Sequence, residues 1–217
     1  MDVRDQILEA ATRLFAAQGL AGTSLQEVAD AVGVRKPSLL YHFDSKDTLH
    51  RAVLDGLLAR WNEALPQLLR AAAREDRFDA ILDAAIGFFS EDPDRARLLL
   101  REALDRPAEM RALLAEYVSP WMGMIAETLR KGQEAGVIRA DVDPEAYCVM
   151  VIHLIIGNVA TAGTVSALAS PGARGAKPGP RIIKEIKRFA RAALEPDAAK
   201  SSGRKGQSGA SESRQRG

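Results

Sequence analysis

The stretch Thr23-Ser24-Leu25-Gln26-Glu27-Val28-Ala29-Asp30-Ala31-Val32-Gly33-Val34-Arg35-Lys36-Pro37-Ser38-Leu39-Leu40-Tyr41-His42-Phe43, followed by Asp44-Ser45-Lys46, decides the fold. Leu25, Val28, Ala29 and Val32 recur at i, i+3, i+4 and i+7, which places four apolar side chains on one face of a helix. Ser24 stands ahead of that helix with Glu27 three places on, the spacing at which the two exchange side-chain-to-backbone hydrogen bonds as a capping box. Gly33 supplies the turn, because glycine enters positive φ without a steric cost. Lys36-Pro37-Ser38 opens a second short helix, where the fixed φ of proline suits the first turn. The pattern reads as a helix-turn-helix over residues 24–43.

Upstream, Ile7, Leu8, Ala11, Leu14 and Phe15 share one face of a helix over about Val3 to Gln18, closed by Gly19. Downstream, Leu49, Val53, Leu57 and Trp61 line a helix that starts near Ser45 and that Pro66 is expected to bend or end. Further helices are expected at about Arg77 to Phe89, Pro93 to Leu104, and Pro107 to Glu134, the last interrupted by Pro120. Asp143-Pro144 is a helix start, an acidic cap before a first-turn proline, and its helix is expected to reach about Leu168. Pro171 to Pro180 reads as a loop. A last helix over about Arg181 to Leu194 carries Ile182, Ile183, Ile186, Phe189, Ala190 and Ala193. Beyond Pro196 the chain is Ser, Gly, Lys, Arg and Gln without apolar periodicity, and residues 196–217 read as a disordered basic tail.

Composition agrees. The 217 residues suffice for one small and one medium domain, and 47% apolar residues suffice for a packed interior. The single cysteine, Cys148, excludes an intrachain disulfide and suits a reducing cytoplasm, and the N-terminus lacks the pattern of a secretory signal. The apolar run from Tyr147 to Ala162 contains His153, Gly157 and Asn158 and falls short of the roughly 20 residues of a membrane span. It reads as a buried helix at a subunit contact. Net charge is only +1, and within residues 1–61 acidic side chains slightly outnumber basic ones. A general electrostatic DNA coat is therefore excluded, and placement matters more: Arg35, Lys36 and Lys46 cluster around the second helix of the motif, and a weakly charged footprint needs two copies for tight binding.

From about Val3 to Trp61 the chain resembles the DNA-binding domain of the TetR family of bacterial transcriptional regulators. The matching residues are the first helix ending in Phe15 and Gly19, Thr23-Ser24, Val28-Ala29, Gly33-Val34, Leu39, Phe43 and Ser45-Lys46. The resemblance implies an all-α protein: a DNA-binding domain over 1–61, then a helical effector-binding and dimerisation domain over 62–195. It also implies that the recognition helix offers Lys36, Pro37, Ser38, Leu40, Tyr41 and His42 to the major groove or its phosphate walls. Lys36 can donate to guanine or phosphate, Ser38 can bond to either, and Pro37 can touch a thymine methyl. Tyr41 and His42 suit phosphate contacts that set register. Lys46, at the start of the fourth helix, and Thr23 and Ser24, near the start of the second, suit phosphate, and Gln26 is placed to reach a base. Many family members have tyrosine where this chain has Leu40. Leucine lacks the phosphate-bonding hydroxyl and offers an apolar tip, which alters the expected operator.

For the body, the family implies dimerisation through the last two helices, here about 143–168 and 181–194, around a small-molecule pocket. Gly157, Ala160 and Gly163 permit close helix approach. Candidate pocket residues are Phe88, Phe89, Tyr117, Trp121, Met124, Met150, His153, Asn158 and Thr161, although core or interface packing is the commoner reason for such residues. Their methionines and aromatic rings suit a small apolar or aromatic effector. The three histidines are scattered, no nucleophile or phosphate-loop motif is present, and Glu102, Asp105 and Glu109 read as a solvated helix face, so no catalytic residue, metal or cofactor is expected. The expectation is a homodimeric repressor on a palindromic double-stranded operator, released by an effector. The alternative is a DNA-binding architectural or protein-controlled regulator without a ligand.

Overall fold

A computed structural model describes residues 2–71, 77–169 and 179–196. All of their regular structure is helical: α1 (Val3–Gly22), α2 (Leu25–Val32), α3 (Lys36–His42), α4 (Lys46–Ala71), α5 (Arg77–Glu91), α6 (Pro93–Asp105), α7 (Pro107–Leu113), a π-helical turn (Leu114–Val118), α8 (Ser119–Glu134), α9 (Pro144–Ala160), α10 (Ala162–Ala169) and α11 (Pro180–Ala192). Of the loop expected over 171–180, residues 171–178 lie outside the described residues, as does the tail beyond 196, and Pro180 is already the first residue of α11.

α1 packs on α2, α3 and α4 around Ile7, Ala11, Phe15, Val28, Leu39 and Leu49, all buried. Gly19, at φ 76°, breaks the helical path of α1 where the sequence places its end. The same apolar core continues into the body through Leu54, Leu58, Leu82, Ile86, Leu98, Leu113 and Ile155. A smaller cluster of Leu129, Tyr147, Cys148 and Leu194 joins α8, α9 and the end of α11. α6 lies between α1 and α9, its two most extensive partners.

Three boundaries differ from expectation. α4 runs through Pro66 to Ala71. Proline removes one N–H, so only the Asn62 carbonyl loses its intrahelical donor, and one missing bond does not end a long packed helix. At Pro120 the interruption is a π turn before α8: the Ser119 backbone N–H donates to the Leu114 carbonyl five residues back, and the Ser119 hydroxyl reaches the same oxygen at 3.3 Å. The helix from Pro144 stops at Ala160 and restarts at Ala162. There the Asn158 side chain donates to the Leu154 carbonyl at 2.8 Å and the Thr161 hydroxyl to Gly157 at 2.6 Å, and such side-chain bonds compete with the backbone ladder.

Candidate nucleic-acid interface

The capping box forms as its spacing requires: the Ser24 backbone N–H donates to Glu27 Oε2 at 2.7 Å, and the Glu27 N–H to Ser24 Oγ at 3.2 Å. The Ser24 hydroxyl first, and the Ser24 backbone N–H second, hold the Glu27 carboxyl below the usual carboxylate range. Gly33, at φ 76°, directs its N–H to the carbonyls of Ala29 and Asp30, and the Val34 N–H follows to Ala29 at 3.0 Å. The chain is thereby turned into α3, with Pro37 in its first turn.

Buried Leu39 pins α3 to the core and turns its other side outward. Arg35, Lys36, Pro37, Ser38 and Tyr41 are exposed, Tyr41 to 86%. Leu40 and His42 are half-buried, and the His42 ring meets Tyr41 edge-on at 5.4 Å. Ser24 is exposed, as is Gln26, whose amide donates to Asp30 Oδ1 at 2.7 Å. Two residues read as phosphate contacts carry structural bonds instead of free side chains. The buried Thr23 hydroxyl donates to the Gly19 carbonyl at 2.9 Å, and Lys46 Nζ donates to the carbonyls of Leu20 and Thr23 at 2.8 and 2.9 Å. The cause is the break at Gly19, which leaves carbonyls at the end of α1 without helical donors.

The body residues divide. Trp121 Nε1 donates to Asn62 Oδ1 at 2.6 Å and the Tyr117 hydroxyl to Asp55 at 3.2 Å, tying α8 and the π turn to α4. Phe88 stands edge-on between Trp61 and Phe89, with the Arg95 guanidinium 4.7 Å from its ring centre. Met124, Met150, His153 and Thr161 are exposed, so the single chain does not wrap them in a pocket. The polar trio of α9 bonds within its own helix: Asn158 and Thr161 as above, and His153 Nδ1 2.8 Å from the Val149 carbonyl. Two open grooves lie elsewhere. One of about 600 Å³ runs between α1 and α4, lined in part by Asp5, Arg13, Gly56 and Arg60. The other, of about 710 Å³, lies between α1 and α6 beside Arg97 and Arg101. None of the body residues proposed as a pocket lines either groove.

Glu102 is not part of a solvated face. It is buried opposite buried His50, Oε2 to Nε2 3.4 Å, while Asp105 and Glu109 are exposed. Burial raises the Glu102 carboxyl and lowers His50 to about 4, with the nearby Arg106 adding to the latter. Sequence reading missed this pair and Arg101, since both partners lie far apart in the chain. The available signal was Leu98 and Leu99 beside Glu102, which place that carboxylate on the apolar side of α6. Among the described residues, no helix is long and apolar enough to cross a membrane, and no three His, Cys, Asp or Glu side chains gather as a metal site would require.

Two family models match the chain: "Bacterial regulatory proteins, tetR family" over residues 7–53 and "Tetracyclin repressor-like, C-terminal domain" over residues 75–177. The HTH-type transcriptional repressor KstR2 of Rhodococcus jostii is 32% identical over 151 residues, covering 65% of this chain and 71% of that protein. The solved ketosteroid transcriptional regulator KstR2 of Mycobacterium tuberculosis superposes with a TM-score of 0.64 at 21% identity, over 90% of this chain and 96% of that one. AibR, solved in complex with isovaleryl coenzyme A and operator DNA, gives a TM-score of 0.70 at 21% identity, over 90% and 100%. The exposed helix of a capped helix-turn-helix and the all-helical body thus meet in one assignment: the chain belongs to the TetR family of bacterial transcriptional regulators, which bind DNA and are not enzymes.

Proposed function

We propose that the protein is a cytoplasmic homodimeric repressor that holds a palindromic operator through two copies of α3 and is released by a small effector. The observation that carries this reading is α3 itself, with Leu39 buried while Arg35, Lys36, Pro37, Ser38 and Tyr41 stand exposed. Lys36 and Ser38 supply base or phosphate donors, Pro37 an apolar contact, and Arg35 and Tyr41 phosphate contacts, with Leu40 and His42 at the flank of the helix. Ser24 and Gln26 flank it from α2. Lys46 keeps one of its three N–H donors beyond the two held by α1, enough for a phosphate at the start of α4.

Dimerisation through α9 to α11 is supported by the apolar side chains these helices leave exposed: Val149, Met150 to 72%, and Phe189 to 61%. Met124 of α8 is exposed as well. The effector reading rests on the aromatic side chains of this part of the body, Phe88 edge-on to Trp61 and Trp121 bonded to Asn62, which suit an apolar or aromatic molecule. That AibR was solved with a coenzyme A thioester and operator DNA makes acyl thioesters a sensible first panel.

The test is binding of the purified protein to the DNA flanking its own gene, at two salt concentrations, with and without apolar compounds and acyl thioesters. Sequence-specific binding abolished by one compound class is the expected result. Binding without sequence preference at either salt would overturn the repressor reading in favour of an architectural one.

A further inference from the structure

α6 holds three other helices through consecutive turns of its own. Arg97 donates through Nε to the carbonyl of Ala160, the last residue of α9, at 3.3 Å, and through Nη1 to Asp94 at 2.7 Å. One turn on, Arg101 donates through Nε to the Ala16 carbonyl of α1 at 2.9 Å and through Nη2 to Ala17 at 2.8 Å. The next residue, Glu102, faces His50 of α4, and Phe15 of α1 stands edge-on to that imidazole at 4.9 Å. Arg106 completes the row, 3.9 Å from Glu102 and 3.4 Å from Asp47 at the start of α4.

These contacts have a common origin in the break at Gly19. Its φ of 76° stops the α-helical ladder, so the carbonyls of Ala16 and Ala17 are left for an outside donor. A guanidinium that bonds two successive carbonyls has a defined direction, unlike an ammonium. Glu102 fixes a second point: its carboxyl is buried against the buried His50 imidazole of α4 at 3.4 Å, a contact that is made only while α4 and α6 keep their present relation. α1 also meets α6 through the shared apolar core, which is non-directional, so the polar links of fixed geometry are what select one angle for that packing.

We propose that Arg97, Arg101 and Glu102 form a clasp on α6 that sets the angle of the DNA-binding helices against α9, with Arg101 and Glu102 as positioning residues for operator binding. The clasp lies within one chain; its consequence at the operator rests on the homodimer reading above.

The experiment places spin labels at Asp44→Cys and Ala135→Cys in a full-length Cys148→Ala background, diluted with excess unlabelled protein so that only distances within one chain are read. The reference protein should show one dominant distance, alternatives staying below about a tenth of the molecules. Arg101→Met, alone and with Glu102→Gln, should add a second population of comparable size, and Arg101→Lys should restore the first in part. Affinity for a duplex selected by the wild-type protein from a random pool should fall about tenfold in the double variant, with the light-scattering mass unchanged. An unchanged distance distribution in a folded double variant would overturn the clasp. If the double variant fails to fold, Arg101→Met and Arg97→Met carry the same test. A wild-type mass of one chain would overturn the homodimer reading and leave the distance test standing.

Discussion

At the scale of the residue, His50 gives the protein a pH dependence whose sign follows from its burial. Its folded-state value lies at about 4, against 6.5 in an open chain, so the folded form favours neutral imidazole. That contribution is fully present above pH 6.5 and is lost as pH falls through 6.5 toward 4. By pH 5 the loss is on the order of 2 kcal/mol. Glu102 works in the opposite sense: burial raises it, so its contribution grows as pH falls toward the ordinary carboxylate range. Arg106, Asp47 and Lys46 also act on His50. Urea midpoints at pH 7.5 and 5 should therefore show a smaller acid loss in His50→Gln than in wild type; equal losses would remove His50 from the account. Tyr41 and Lys46 should separate in the same assay. Tyr41→Ala, at a fully presented side chain, should weaken operator binding with stability within about 0.5 kcal/mol of wild type. Lys46→Ala should lower stability as well, by about 1–3 kcal/mol, because two carbonyls lose a charged donor.

At the scale of the element, α2 and its turn depend on two residues. Ser24→Ala removes an acceptor for the Glu27 N–H and should cost about 1 kcal/mol. Gly33→Ala has open space around the new methyl group, so its cost is conformational alone, about 1–2 kcal/mol for a left-handed residue. Thermal unfolding of both variants checks these values, and a neutral Gly33→Ala would mean that the turn can relax without disturbing α3. These two residues also show which parts of the fold were legible in the sequence. Capping boxes, positive-φ glycines and first-turn prolines act within four residues, so α2, α3 and the Asp143 start of α9 could be read from spacing. Pro66 could not, because whether a long helix survives a proline depends on how the rest of it is packed. The interface divided in the same way. Exposure of Lys36, Ser38 and Tyr41 follows from helical phase against Leu39, whereas Thr23 and Lys46 turned inward toward carbonyls freed by Gly19, a contact that no local spacing reveals. Glu102 and His50 are separated by most of three helices, and only the packing of α4 and α6 on the same α1 brings them together.

At the scale of the whole molecule, the distribution of exposed apolar side chains argues for a second copy. Val149 and Met150 project from α9, and Phe189 from α11 under the Arg188 guanidinium, 4.9 Å from its ring centre. α9 and α11 are joined from behind by the Tyr147 hydroxyl on the Ala190 carbonyl at 2.7 Å, and α11 is tied to α5 by Lys187 with Asp83 and Arg191 with Asp79. The two helices are thus anchored through their inner sides while Val149, Met150 and Phe189 on the outer side stay exposed among the described residues. On the proposed homodimer reading a second copy covers this face and excludes charge from it, so a carboxylate placed there would be buried at the contact. Met150→Glu with Phe189→Glu should shift the sedimenting species from two chains to one, with helicity retained because both positions are already exposed in the single chain. One recognition helix alone forfeits the second half-site, and operator affinity should fall toward the nonspecific level, roughly a thousandfold or more. The salt dependence should flatten at the same time, because a single domain neutralises about half as many phosphates. A dimer that persists in the double variant would place the contact elsewhere on the body. A monomer that still bound the full operator at wild-type affinity would show that one copy of α3 suffices.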